Sequence, residues 1–374
     1  MKKTITPNQI RENNRKLIYQ YIYHHPKIAQ RDIAYNLHLS RPTITTNLAA
    51  MEEEGLIEKG GQIDNDYVGR KADAYSVNPL FRVGIGVEIL SQQIKIIAVN
   101  LYGQKIHRMV FNIKFANTDT YFSTICQYIL KFAETSKLSD EQILGIGFAM
   151  QGLVSPDGTK VIYGKILECT GLEINAIQKH LPYPCTFIHD ADCAAISELW
   201  ASPEMKNAFY LSLSRHLAAA IITDRKQQPG MHGHSATIEH IQMEDGGKLC
   251  YCGKHGCLET VCAIHALLPK DGDLDQFFAL VRKGDTAAWQ KWQTYLGNLA
   301  KAINMLHLVY DQIFILGGYL APYFIEEDIE HLYDLINGMT PFLENRDYLQ
   351  ISKMPKHNIT IGAALPYIQQ FLER

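Results

Sequence analysis

Apolar residues recur at helical spacing near the start of the chain, where Leu17, Ile18, Tyr21 and Ile22 mark one face of a helix that His25-Pro26 closes. A second helix is expected over residues 29–37 and a third from Ser40. Ser40 suits an N-cap, and Pro42 fits the first turn, where its missing N–H is not needed. Ile44, Leu48 and Met51 then share one face until Gly55 ends the run. Two short strand-like pieces, 56–59 and 74–77, surround the polar segment 60–71. Three helices followed by a hairpin predict a winged helix-turn-helix.

Beyond Asn78-Pro79 the pattern turns β-branched. Segments 82–89 and 94–102 flank the polar turn Ser91-Gln92-Gln93 and predict a hairpin. Strands are expected at 143–150, 185–189, 208–213, 218–223 and 312–317, with helices at 121–135, 191–200 and 286–308. The expected class is therefore mixed α/β, divided into a DNA-binding part with linker (1–78) and a larger effector part (79–374). No internal repeat is visible.

Composition refines this picture. With 374 residues, 47% apolar and 20% charged, the chain has room for roughly two or three domains, which excludes disordered and collagen-like readings. The formal net charge of −3 argues against a nucleic-acid partner until it is divided along the chain. Residues 1–50 hold eight basic side chains against two acidic ones, a local +6, so the other 324 carry −9. The N-terminus lacks the apolar core of a signal peptide, and no run reaches about 18 apolar residues. A cytoplasmic protein without membrane association is expected.

The basic head supplies a candidate nucleic-acid interface. Ser40, Arg41, Thr43, Thr45, Thr46 and Asn47 lie at or near the start of the third helix, where a recognition helix presents side chains to base edges and phosphates of an operator duplex. Glu52-Glu53-Glu54 reads as a solvated face. A protein-interaction role for the same helices is the plainer alternative.

Four of the eight cysteines are scattered, while Cys250, Cys252, Cys257 and Cys262 crowd into thirteen positions. Three thiolates at 250, 252 and 257, with Gly253 and Gly256 letting the backbone fold around them, supply three corners of a tetrahedron, and His240 is the candidate fourth. Cys262 and His255 are possible substitutes, and free buried thiols are the simpler reading. A Cys₃His shell is closed, so the expected Zn²⁺ in segment 240–257 is structural.

Ile238-Glu239-His240, with the Cys-x-Cys-Gly-x-x-Gly-Cys-x-Glu run from Cys250, resembles the signature of the ROK family of bacterial sugar kinases and sugar-responsive repressors. Gly145 to Gly152 resembles that family's sugar-side loop, His189-Asp190-Ala191-Asp192 its Asn-Asp-Ala-Asn segment, and Leu316-Gly317-Gly318 its nucleotide-side turn. The resemblance implies an actin-like ATPase fold of two α/β lobes with a ligand cleft between them. Its members that begin with a winged helix are repressors, which implies a carbohydrate effector and a homodimer or higher homo-oligomer. By the same resemblance Asp190, the kinases' general base, and Glu259 are sugar-hydroxyl acceptors, with His240 beside them and Glu168 near another sugar-contacting loop. His189 replaces an asparagine and Thr237 a glutamate, so all six are candidate ligand contacts, the altered two implying an altered ligand. Asp190 has a plainer role as a helix N-cap. Gly69-Arg70-Lys71 resembles the Gly-Arg stretch of the family, so Arg70 and Lys71 are candidate DNA contacts, or a solvated basic turn.

The phosphate loops decide the enzyme question at this level. The kinases' Asp-x-Gly-Gly-Thr corresponds to Glu88-Ile89-Leu90-Ser91-Gln92, and their second glycine-rich turn to Ser214-Arg215-His216-Leu217-Ala218. Side chains replace the glycines that let backbone amides approach phosphate. The sequence thus predicts a regulator with no catalytic residue, most simply a repressor of carbohydrate uptake or catabolism genes. A ROK-type sugar kinase and a repressor governed by a protein partner, such as a sugar-transport component, are the alternatives.

Overall fold

Thr6 begins the first helix by a reciprocal cap: its hydroxyl accepts the Gln9 amide at 3.3 Å while the Gln9 side chain accepts the Thr6 amide at 2.9 Å. This cap sets the helix start well before the first apolar stripe. The computed structural model describes residues 6–63, 72–269, 272–342, 344–354 and 356–373. The head comprises α1 (Pro7–His24), β1 (Ile28–Ala29), α2 (Gln30–Leu37), α3 (Arg41–Glu53), β2 (Ile57–Ile63) and β3 (Ala72–Val77), its strands in the order β1-β3-β2. Ser40 caps α3 by accepting the Thr43 amide at 3.3 Å, and Ile44, Leu48 and Met51 are buried beneath it. The winged helix-turn-helix is formed as expected. Arg70 and Lys71 lie outside the described residues.

The first lobe contains β4 (Val83–Ile89), β5 (Gln93–Val99), β6 (Lys105–Asn112), α4 (Asp119–Thr135), β7 (Ile143–Met150), β8 (Leu153–Val154), β9 (Val161–Tyr163), α5 (Asn175–Gln178) and β10 (Cys185–His189). Its main sheet runs β10-β7-β4-β5-β6, with β10, β7 and β4 parallel and β5 and β6 antiparallel to their neighbours. The second lobe follows, with α6 and α12 set between the lobes: α6 (Asp190–Ala201), β11 (Ala208–Ser212), β12 (Ala218–Thr223), β13 (Lys226–Gln227), α7 (Glu259–Cys262), α8 (Ile264–Leu267), α9 (Leu274–Arg282), α10 (Thr286–His307), β14 (Ile313–Gly317), α11 (Glu326–Asn337), β15 (Leu349–Ile351) and α12 (Asn358–Glu373). Its sheet, β13-β12-β11-β14-β15, repeats the first in both order and direction. A doubled topology is therefore present where the sequence shows no repeat, because strand pairing constrains hydrogen-bond direction and face polarity rather than residue identity.

The chain's last helix is not predicted by the sequence pattern, since Pro366 in its interior argues against a helix. Burial overrides that cost. α12 lies on the first lobe's sheet so closely that a Cβ at Gly86 would sit 1.8 Å from the Thr360 carbonyl oxygen, and one at Gly147 would sit 1.9 Å from that of Ala363. On its other side α12 packs along α6, which in turn lies on the second sheet through Ala191, Ala194, Ala195 and Leu199. The layers thus run sheet, α12, α6, sheet. β6, an edge strand with alternating exposed positions, is likewise absent from the expected elements.

The head does not hang on a free linker. Ile18, Ile22, Ile44, Leu48 and Met51 share one buried cluster with Ile97 and Val99 of β5 and with Ile361, Leu365 and Ile368 of α12. The expected division after residue 78 is crossed by this core. No described helix is long and apolar enough to cross a membrane.

Candidate functional site

A cavity of about 850 Å³ opens between the lobes, where strand ends and helix starts from both sheets converge. Glu88 at the end of β4 lies at its floor, 5% exposed, with the Lys95 ammonium 3.2 Å away and the Thr360 hydroxyl donating at 3.0 Å. His189 and Asp190 line it where β10 becomes α6. Here the expected roles shift by one residue: His189 is the N-cap, and Asp190 is the first helical residue, its Oδ1 accepting the Ala191 amide at 2.8 Å. Burial, then the nearby Glu88 charge, pushes the Asp190 pKa up to about 7. Burial lowers that of His189. Near neutrality the Asp190 carboxyl can therefore either donate or accept a hydrogen bond, as suits a hydroxyl-bearing ligand.

The two loops corresponding to phosphate cradles also line the cavity, as Leu90 to Gln93 and Ser214 to Leu217. None of these residues has a positive φ. The second loop is instead built around an imidazole. His216 donates through Nδ1 to Glu259 Oε1 at 2.7 Å, and Glu259 Oε2 accepts the Leu217 amide at 2.8 Å. Glu259 is 1% exposed and accepts a hydrogen bond on each oxygen, so it positions His216. With its Nδ1 engaged, His216 has Nε2 left to offer the cavity.

Beside this wall lies the cysteine segment. His240 Nδ1 is 3.8 Å from Cys250 Sγ, and the Sγ atoms of Cys252 and Cys257 are 3.7 Å apart. A tetrahedral ion with thiolates at ~2.3 Å has an S···S edge of about 3.8 Å, so the spacing suits such a centre. All four candidate ligand atoms lie within 4.8 Å of one another. Burial, with the neighbouring thiols, raises the Cys250 pKa to about 12, a cost that a cation among the sulfurs reverses. Burial lowers the His240 pKa, which favours the neutral imidazole a metal needs. Cys262 is instead buried beneath Tyr295, whose hydroxyl donates to its carbonyl, and His255 Nδ1 meets the Gly247 carbonyl; neither joins the cluster.

On the head, Arg41, Thr45 and Thr46 are exposed at the start of α3, whereas Thr43 and Asn47 are half-buried. The Thr45 and Thr46 hydroxyls and the Asn47 amide donate to helix carbonyls four residues earlier. Ser40 is occupied as the cap. Of the three acidic residues that close α3, Glu54 is not merely solvated: it pairs with Arg15 and ties α3 to α1.

Residues 84–365 match the ROK family. The chain belongs to the ROK family. Residues 11–58 separately match a winged helix-turn-helix DNA-binding family. The chain is similar to the N-acetylglucosamine repressor of Escherichia coli O157:H7, 24% identical over 262 residues, a match that takes in 69% of this chain and 64% of that protein's length. It is also similar to the xylose repressor of Caldicellulosiruptor bescii, 21% identical over 97% of both chains. The crystal structure of a ROK family transcriptional regulator, described as a homolog of the E. coli MLC protein, superposes with a TM-score of 0.74 at 21% identity, covering 97% of this chain and 96% of its own. Sugar kinases of the ROK family share the fold of the effector part as well.

Within this ROK chain, two of the six residues expected at the ligand line the cavity, His189 and Asp190. Glu259 is diverted to His216, and His240 turns to the cysteines. The Thr237 hydroxyl donates to the His234 carbonyl at 2.5 Å, and Glu168 is exposed at φ 53° on a loop whose Lys165 and Ile166 reach the cavity instead. Gly145 and Gly147 lie within β7, so only Gln151 and Gly152 of that glycine-containing stretch border the cleft. Glu239 is a site residue that the sequence pattern does not single out. It is buried yet lines the cavity, and burial, with Glu259 and Asp190 close by, raises its pKa to about 8. Its place beside His240 in the Ile238-Glu239-His240 signature is the signal that points to it. Tyr251, set between two cysteines, also borders the cavity and packs edge-on against His216.

Proposed function

We propose that this protein is a DNA-binding transcriptional regulator, a repressor of carbohydrate uptake or catabolism genes, whose operator affinity is set by a carbohydrate held between its lobes. One observation carries the reading: a winged helix with an exposed basic recognition-helix start shares a hydrophobic core with a kinase-like body whose phosphate loops have lost their glycines. Arg41 is the leading candidate for a base or phosphate contact, with Thr45 and Thr46 beside it. In the cleft, Asp190, His189, Glu239 and His216 form a polar surface suited to sugar hydroxyls, which binds without transferring a phosphoryl group. The repressor names of two relatives support the carbohydrate class but differ in the sugar.

Cys250, Cys252, Cys257 and His240, the last through Nδ1, would hold a structural Zn²⁺, which when bound ties a loop poor in apolar residues to the cleft wall. A homodimer would present two heads to two half-sites of an operator. The experiment is a selection of duplexes from a random pool by the full chain, followed by titration of D-xylose, N-acetylglucosamine and glucose into the complex. Operator binding that falls steeply with salt, weakens on Arg41→Ala and shifts with one of the sugars is expected. A flat salt response contradicts phosphate contact, whereas ATP-dependent phosphorylation of a hexose that is lost on Asp190→Asn would make the protein a kinase.

A further inference from the structure

The cleft and the DNA-binding head lie at opposite ends of the same two helices. α6 begins with Asp190 in the cavity, and at about 1.5 Å per residue its last turn lies some ~16 Å away. α12 begins beside it, with Ile359 lining the cavity and Thr360 bonded to Glu88. Its far end holds α1: Phe371 meets Tyr19 edge-on, the Leu372 carbonyl accepts from Gln20, and the Glu373 carbonyl accepts from Lys16.

We infer that α6 is the strut through which cleft and head sense one another, and that Trp200, Tyr102 and Tyr23 form its joint. The inference rests on reading the cleft as an effector site and the head as a DNA reader. α6 lies where the lobes meet, so a change in lobe angle displaces it. It cannot yield toward α12, because a Cβ at Gly362 would stand only 1.7 Å from the Cys193 carbonyl oxygen. At its far end Arg225 gathers the carbonyls of Leu199, Ser202 and Met205 at 2.7–3.0 Å, which stiffens the terminus. A helix clamped in this way moves as a body.

The joint itself is built for contact. The Trp200 indole N–H donates to the Tyr102 carbonyl at 2.9 Å, and Gly103, at φ 72°, leaves the space: a Cβ there would lie 2.4 Å from the indole nitrogen. The Tyr102 ring stacks on Tyr23 of α1 at 4.7 Å and 8°. The Tyr23 hydroxyl closes the path by donating to the Leu101 carbonyl at 2.9 Å. The hydroxyls of Tyr19 and Tyr102 are buried at the same junction, with no hydrogen-bond partner among the described residues. Trp200, Tyr102 and Tyr23 neither line the cavity nor lie on α3, so they are positioning residues.

Coupling is reciprocal, so DNA serves as the probe whichever sugar is the effector. With the full chain and a duplex selected for tight binding, amide hydrogen exchange is read at the start of α6, over Ala191 to Cys193, with and without DNA. In the unmodified protein DNA should change exchange there. Trp200→Phe keeps an aromatic ring and removes the N–H donor; it should bind the duplex within a factor of about two while its α6 response drops to under about half. Tyr23→Phe, which keeps the stack, should give a smaller loss in the same direction. A full α6 response in DNA-bound Trp200→Phe overturns the inference, as does no response in the unmodified protein. If no duplex is bound at all, the DNA-binding reading itself fails, a distinct outcome that removes the inference with it.

Discussion

Single carboxylates show how environment assigns roles in this chain. Asp328 is buried and Asp190 half-buried on the cavity wall, with different consequences. Asp328, 4% exposed, accepts from Arg282 Nη1 at 3.1 Å, the Trp292 indole at 2.8 Å and the Ile325 amide at 3.1 Å. Its removal strands donors from three elements, so Asp328→Ala should cost about 3 kcal/mol in denaturant unfolding. Asp190 has no such set of donors, and its pKa is raised from the ordinary 3.8 to about 7. The folded state therefore binds more protons than the unfolded chain between those values, so stability falls as pH rises through that window and is level above it. Asp190→Asn removes this dependence. Its stability relative to the unmodified protein should improve from acid to neutral pH, and parallel pH profiles of the two would contradict the buried-acid description.

At the scale of elements, the segment from His240 to Cys257 does more than gather four potential metal ligands. Its candidate ligands lie close to the cleft wall: Glu239 precedes His240, Tyr251 separates Cys250 from Cys252, and Glu259, two positions after Cys257, holds the wall residue His216. Purified protein should contain about one zinc per chain, and Cys257→Ser should lose it together with thermal stability. Sugar affinity should fall in the same variant. Metal analysis showing no zinc in the unmodified protein would leave the segment as a cluster of thiols. The local spacing of this motif makes it legible from sequence, as the N-cap and apolar face make α3 legible. α12 is not, because its interior proline contradicts local propensity and only burial between two sheets explains the helix.

For the whole molecule, the head's core runs on into the body through β5 and α12. Ile18 and Ile22 are fully buried in a cluster that includes Ile361, Leu365 and Ile368 from the far end of the chain. Residues 1–78 produced alone should therefore show weak helicity and no cooperative thermal transition, while the full chain unfolds with its head attached. An independently folded head would mean that the shared cluster contributes little.

Local order determined what the sequence could convey by itself: helix periodicity and caps in the head, β-branched runs in the body, and four metal-type ligands within eighteen positions. It also carried the loss of the phosphate-loop glycines, because a side chain at such a position is visible without coordinates. Tertiary structure alone decided which acids face the cavity. Glu88, Asp190 and Glu239 come from distant parts of the chain, and Glu259, although expected beside them, turns to His216. It also decided the order of layers that sets α12 and α6 between the lobes. These outcomes depend on where side chains point after sheets and helices have packed, and no spacing along a single segment encodes that direction.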